Sequence, residues 1–270
     1  MAKYKKKVAR KLQQDRFRDT TMSFFDRLGD LLEGRGRTIL YGLVGLIVAG
    51  LLVLFFVKWS NRKADEARQA IGRAIAISTA NVGTPLPGAD PTAQIFNTEL
   101  DRSQRAIEEF EKVAAKYGDP FRAQARYFIA SNRLSVDRAK AITELTDLQN
   151  SSVPEVAALS RFALAQAKES DGKLDEAAQI YSDLAKSNSS TITPETANLR
   201  LAKVYEKQGK KKEAADLLFN IVDAARKAKD ADNQPAPASA AAREADIELK
   251  KLDPDRHAQL PPEVPASLLG

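Results

Sequence analysis

Acid–base or nucleophilic chemistry needs titratable groups that converge, and this 270-residue chain offers few. It has no cysteine, which removes thiolate nucleophiles, cysteine metal clusters and disulfides together. His257 is the one histidine. It stands in DPDRHAQLPPEVPASLLG with no ligand pattern around it, and it reads as an exposed residue of a tail. The carboxylate pairs Glu108–Glu109 and Asp175–Glu176 have the residue types of a general acid and base, but both fall on helix surfaces or first turns, where negative charge is ordinary. The sequence contains no HExxH, no GxSxG, no phosphate loop and no dinucleotide glycine pattern. Gly42, Gly45 and Gly50 lie inside an apolar run, not a phosphate cradle. No catalytic residue, metal or cofactor is therefore expected. An enzyme would need a compact polar pocket with convergent titratable groups. Asn150-Ser151-Ser152 and Asn188-Ser189-Ser190 match the glycosylation sequon, though turn-forming preference explains the same residues.

What the chain has instead is a strong division of charge and hydropathy. Residues 1–37 hold 11 Lys/Arg and 5 Asp/Glu, so this arm accounts for the whole formal net charge of +6. Residues 58–270 hold 31 of each sign, which argues against nucleic-acid binding by the main body. Between them Thr38–Val57, TILYGLVGLIVAGLLVLFFV, has no charge. As a helix it is about 30 Å long, the thickness of a bilayer's hydrocarbon layer. A cleavable signal peptide would be shorter and followed by a small-residue site; here Lys58, Trp59, Asn61, Arg62 and Lys63 follow. The expectation is an uncleaved anchor in the lipid bilayer. The basic arm places the amino terminus in the cytoplasm by the positive-inside bias, with the long domain across the membrane. Tyr41 and Trp59 have rings suited to the interfaces. Gly45 and Ala49 make one small-xxx-small spacing that permits contact with a neighbouring membrane helix.

The arm has two textures. MAKYKKKVARKLQQDRFR suits anionic headgroups or an acidic or ribonucleic partner, or simply holds the terminus inside. In Thr20–Leu32, Met22, Phe25, Leu28 and Leu32 have near-helical spacing, so a short amphipathic helix is expected along the membrane or against another membrane protein.

Beyond the anchor the chain is alanine-rich and written in helical period. Ala106-Phe110-Val113, Ala141-Leu145-Leu148, Ala177-Tyr181-Leu184 and Ala214-Leu218-Ile221 repeat one pattern, and the first alanines advance by 35, 36 and 37 residues. That is near the tetratricopeptide period of about 34. Each unit is a pair of antiparallel helices whose apolar stripes are buried only by stacking on neighbours. Gly172 in SDGKLDEAA and Gly209 in QGKKKEAA end first helices. The expected fold is all-α: a single transmembrane helix, then a right-handed tetratricopeptide-like helical-hairpin solenoid over 58–228. Helix 64–80 leads into the first pair, and NVGTPLPGADPTAQIF, near 81–94, is an insertion loop without an element of its own. Breakers at 118–120, 152–154, Gly172 and Gly209 exclude one continuous coiled-coil rod. Residues 229–270 read as a linker, a helix capped by Ser239 that covers the solenoid's open apolar edge, and a proline-rich tail that is alternatively a ligand for a partner.

A basic arm, one span ending in Lys58-Trp59-Ser60-Asn61 within FVKWSNRKADEA, and a tetratricopeptide-like domain together resemble the bacterial ancillary subunit of the Sec translocon. The resemblance covers roughly residues 20–228. It implies a periplasmic repeat domain that assists exported polypeptides leaving the channel and contacts periplasmic chaperones. On this reading the first helices of the pairs present a groove to peptide or protein. Arg126, Arg161, Arg200 and Lys203 are its candidate lining residues, with ordinary surface charge as the alternative. An envelope or cell-division assembly scaffold is the other non-enzymatic reading.

Overall fold

Twenty uncharged residues need a helix to satisfy their backbone in lipid, and the stretch after them is mostly helix formers, with Gly72 accommodated inside the helix, until Ser78. The computed structural model describes residues 36–83, 94–187, 189–230 and 233–262, the side chains of 36–41 and 43 excepted. In it α1 runs Gly36–Ser78, 43 residues. The membrane segment and the helix expected at 64–80 are thus one element. The basic arm, its amphipathic stretch, the ring of Tyr41, most of the 81–94 loop, Asn188 and the last eight residues of the tail lie outside the described residues.

The chain divides into two units, Met1–Asp65 and Glu66–Gly270. In the first, every described side chain from Val44 to Val57 is exposed, Leu46 at 76% and Phe55 at 70%. Monomeric soluble proteins rarely display so large a contiguous apolar surface. Among the described residues one helix is long and apolar enough to cross a membrane, with a mean hydropathy of 1.9 and none of its apolar window buried.

The second unit is a succession of helix pairs. Glu66–Ser78 of α1 packs on α2 (Glu99–Lys116), followed by α3 (Phe121–Arg133) with α4 (Arg138–Leu148), α5 (Pro154–Ser170) with α6 (Leu174–Lys186), and α7 (Pro194–Lys207) with α8 (Lys211–Lys227). After them come α9 (Ala240–Leu252) and the four-residue α10 (Pro254–His257). From α2 to α10 each helix touches the next, and α3 reaches α5 and α7 reaches α9. This is a tetratricopeptide-like solenoid, all-α apart from a pair of two-residue strands.

The repeated triplets are its physical basis. All twelve of their residues are buried, the four alanines completely. A methyl group at the crossing lets two helices approach, and the aromatic or leucine one turn later fills the space between pairs. Tyr181 is fully buried with its ring edge-on to Phe162 at 5.7 Å, and Phe110 stacks on Phe128 of the next helix at 4.8 Å. Short polar side chains begin the helices: the Thr98, Asp137, Thr193 and Ser239 oxygens each accept an N–H three residues on.

Gly172 and Gly209 turn the last two hairpins in the left-handed region, with φ of 73° and 74°. A Cβ at Gly209 would meet nothing within 4 Å, so the cost of Gly209→Ala is purely conformational. It should destabilise the repeat unit by about 1 kcal/mol. Thermal unfolding followed by circular dichroism should show a drop of about 2–4 °C.

Two regions differ from expectation. The insertion loop carries elements at its ends: β1 (Asn81–Val82) pairs in parallel with β2 (Ile95–Phe96), with Asn81 opposite Ile95. Two residues are too short a run to produce a period-2 signal. At the other end, residues 253–262 are not tail. Leu260 is buried in the core that α9 shares with α7 and α8, beside Leu199, Leu218 and Leu249. α9 thereby supplies the apolar cover that the last full pair lacks.

Candidate protein-interaction surface

The four candidate cations belong to first helices of successive pairs, but the structure does not gather them into one site. Arg126 is exposed on α3 and lines a cleft of about 210 Å³ with Glu111, Arg133, Lys140 and Glu144. Arg161 is half-buried on α5 and lines a different cleft of about 450 Å³, among Ser151, Glu155, Ser189 and Thr191. Arg200 and Lys203 are half-buried on α7. Lys203 is engaged by α9: its ammonium donates to Glu244 and lies 3.9 Å from Glu248. Arg126, Arg161 and Arg200 make no ion pair among the described residues. Gly45 and Ala49 stand exposed on the apolar helix, with nothing within 4 Å of a Cβ built at Gly45.

The polar contacts that do organise this surface went unread in the sequence. Glu169 of α5 accepts the Tyr181 hydroxyl of α6 at 3.3 Å through one oxygen and the Lys207 ammonium of α7 at 2.5 Å through the other. Burial first, and then the Glu169 carboxylate, push the Tyr181 phenol well above its ordinary value, so it stays a neutral donor. Arg138 reaches from α4 to Asp171 at 2.7 Å and to the Ala167 carbonyl at 2.8 Å. Gln208 donates to Asp175 at 2.9 Å. The pairs Arg138–Asp171, Gln208–Asp175, Lys207–Glu169 and Lys203–Glu244 are separated by 33, 33, 38 and 41 residues. A polar partner about one repeat away is the signal that was present. It marks neighbouring pairs locked in register.

His257 is corrected by the same region. It is half-buried, with Nε2 3.3 Å from an Asp246 oxygen that also accepts from Arg226 at 2.6 Å. Arg226 donates in addition to the Pro261 carbonyl, and Arg256 pairs with Asp216. Seating Leu260 folds the segment back over α8 and α9 and carries His257 inward with it.

The hydrogen bond from Lys203, and then its charge and that of Arg200, hold the Glu244 carboxyl below its ordinary value of 4.5 against the cost of burial. A depressed folded pKa contributes stability that is present above the unfolded value and is lost as pH falls through the folded one. Glu244 is half exposed, so screening keeps this contribution below about 1 kcal/mol. Glu244→Gln should therefore melt slightly below the wild type at neutral pH. The difference should shrink as pH falls below 4.5 and vanish once it has passed through the depressed folded value, which parallel melts from neutral into acid pH would read.

No protein-family model matches the sequence, and no curated protein does. Two solved structures are similar: a kinesin light chain-like protein of Podospora anserina with nearly identical TPR-like repeats, and a point variant of it. Each is 18% identical with a TM-score of 0.45, covering 59% of this chain and 81% of that chain. What makes this chain tetratricopeptide-like is its own geometry, namely four buried triplets one repeat apart and glycine-turned hairpins. Stacked helix pairs of this kind build the extended surface that repeat proteins offer to protein partners.

Proposed function

We propose that this protein is a non-enzymatic, membrane-anchored interaction module and an accessory of the Sec translocon, which assists exported polypeptides or recruits periplasmic chaperones. The observation that carries the reading is the presence in one chain of an exposed apolar helix of membrane-spanning length and a stack of tetratricopeptide-like pairs. The apolar helix confines the repeats to a membrane surface. The repeats supply side chains for a protein client, with Arg126, Arg161 and Arg200 on three successive first helices and without an ion pair among the described residues. Lys203 contributes only where a client displaces Glu244. The excess of cations in residues 1–37 supports a cytoplasmic amino terminus with the repeats across the membrane, which on the Sec reading is the bacterial inner membrane and its periplasmic side.

Photocrosslinking in membranes tests this directly. A photoreactive residue at Gly45 or Ala49 should yield adducts with the translocon, and one at Arg126, Arg161 or Arg200 adducts with exported chains or periplasmic chaperones. Adducts confined to a division or assembly protein, with none from the apolar helix to the channel, would replace this reading with a membrane-tethered scaffold.

A further inference from the structure

We infer that the segment Lys58–Lys63 is a binding collar for anionic phospholipid headgroups at the carboxyl-terminal end of the membrane helix. The inference rests on α1 being seated in a bilayer and is independent of its orientation and of the translocon. Lys58, Trp59, Arg62 and Lys63 are all exposed. At 100° per residue they fall within an arc of about 140°, so one face of α1 carries three cations around one indole. Lys58 and Arg62 have no ion pair among the described residues. The Lys63 ammonium lies over the Trp59 ring, 3.9 Å from its centroid, and the Phe56 ring is 6.1 Å from Trp59 on the apolar side.

The heights along the axis fit a lipid. Trp59 follows the last residue of the uncharged run by two positions, where an indole sits at the boundary between acyl chains and headgroups. Arg62 and Lys63 stand about 5–6 Å further along the axis, at the level of lipid phosphates. Cations held there by a fixed helix face attract negatively charged headgroups over zwitterionic ones.

Trp59 is the one tryptophan of the chain, which makes it a local reporter. The full-length protein would be reconstituted in bilayers mixing phosphatidylglycerol and phosphatidylcholine, with bromine on the acyl chains of one lipid or the other. Quenching by either brominated lipid reports that the helix is inserted; its absence from both would defeat the anchor itself. The ratio of the two reports the collar. Phosphatidylglycerol should be enriched around Trp59 by about fivefold, the effect of one well-placed cation at a membrane surface. Enrichment should fall towards unity in the Lys58→Gln, Arg62→Gln, Lys63→Gln triple variant and at high salt. A variant with the cations of residues 1–37 neutralised should keep it, because the twenty uncharged residues 38–57 lie between that arm and the collar in the sequence. Equal quenching in the wild type, a preference that survives the triple variant, or one lost with the arm would overturn the proposal.

Discussion

Tyr181→Ala should lower the unfolding temperature of the repeat unit by on the order of 10 °C. The side chain is fully buried in α6 and packs among Ala165, Leu184, Ala197 and Leu201. Truncating a buried aromatic to alanine costs about 3–5 kcal/mol, and each kcal/mol shifts a domain of this size by about 2–4 °C. The wall around the ring includes Phe162 and Ala165 of α5 and Ala197 and Leu201 of α7, helices tied to each other through Lys207 and Glu169 that cannot simply collapse into the space. Tyr181→Phe separates packing from polarity. It keeps the ring and loses only the 3.3 Å bond to Glu169, whose carboxylate retains Lys207, so a loss of about 1 kcal/mol is expected. Melting curves of the two variants against wild type decide the matter. Equal losses would mean that the hydroxyl, not the ring, holds α5, α6 and α7 together.

The second large effect concerns the apolar helix. The double variant Ile47→Arg, Leu51→Arg puts two cations near the centre of the uncharged run. They lie one turn apart on the same face, so their like charges also repel each other. Each costs about 2.5–3.5 kcal/mol at a helix centre. The sum should move most of the protein from the alkali-resistant membrane pellet into the extract, as read by carbonate extraction and immunoblotting. Both wild-type side chains are exposed and neither belongs to the repeat cores, so the unfolding temperature of the repeat unit should stay unchanged. Retention of the variant in the pellet would show that the repeat unit, and not α1, holds the protein at the membrane.

These expectations divide along the range over which a residue's role is set. The apolar run, the buried triplets and the glycine turns were legible in the sequence because a helix brings residues three and four apart onto one face, and that spacing survives whatever the helix packs against. The burial of Ala141, Leu145 and Leu148 could be read from their spacing alone. The candidate surface was only half legible. Arg126, Arg161, Arg200 and Lys203 could be placed on first helices, but the engagement of Lys203 by Glu244 depends on α9 docking 41 residues further along the chain.

The turning inward of His257 likewise depends on Leu260 finding a pocket between helices that begin far upstream. By itself, the sequence determined the period of the solenoid and the apolar helix before it, since both arise from contacts within a turn or two of chain. The tertiary structure alone decided which charges are spent as struts between neighbouring pairs and which remain open to a partner. The physical reason is that an ion pair is fixed by the register of two packed helices to within an ångström or so, and no local pattern carries that register.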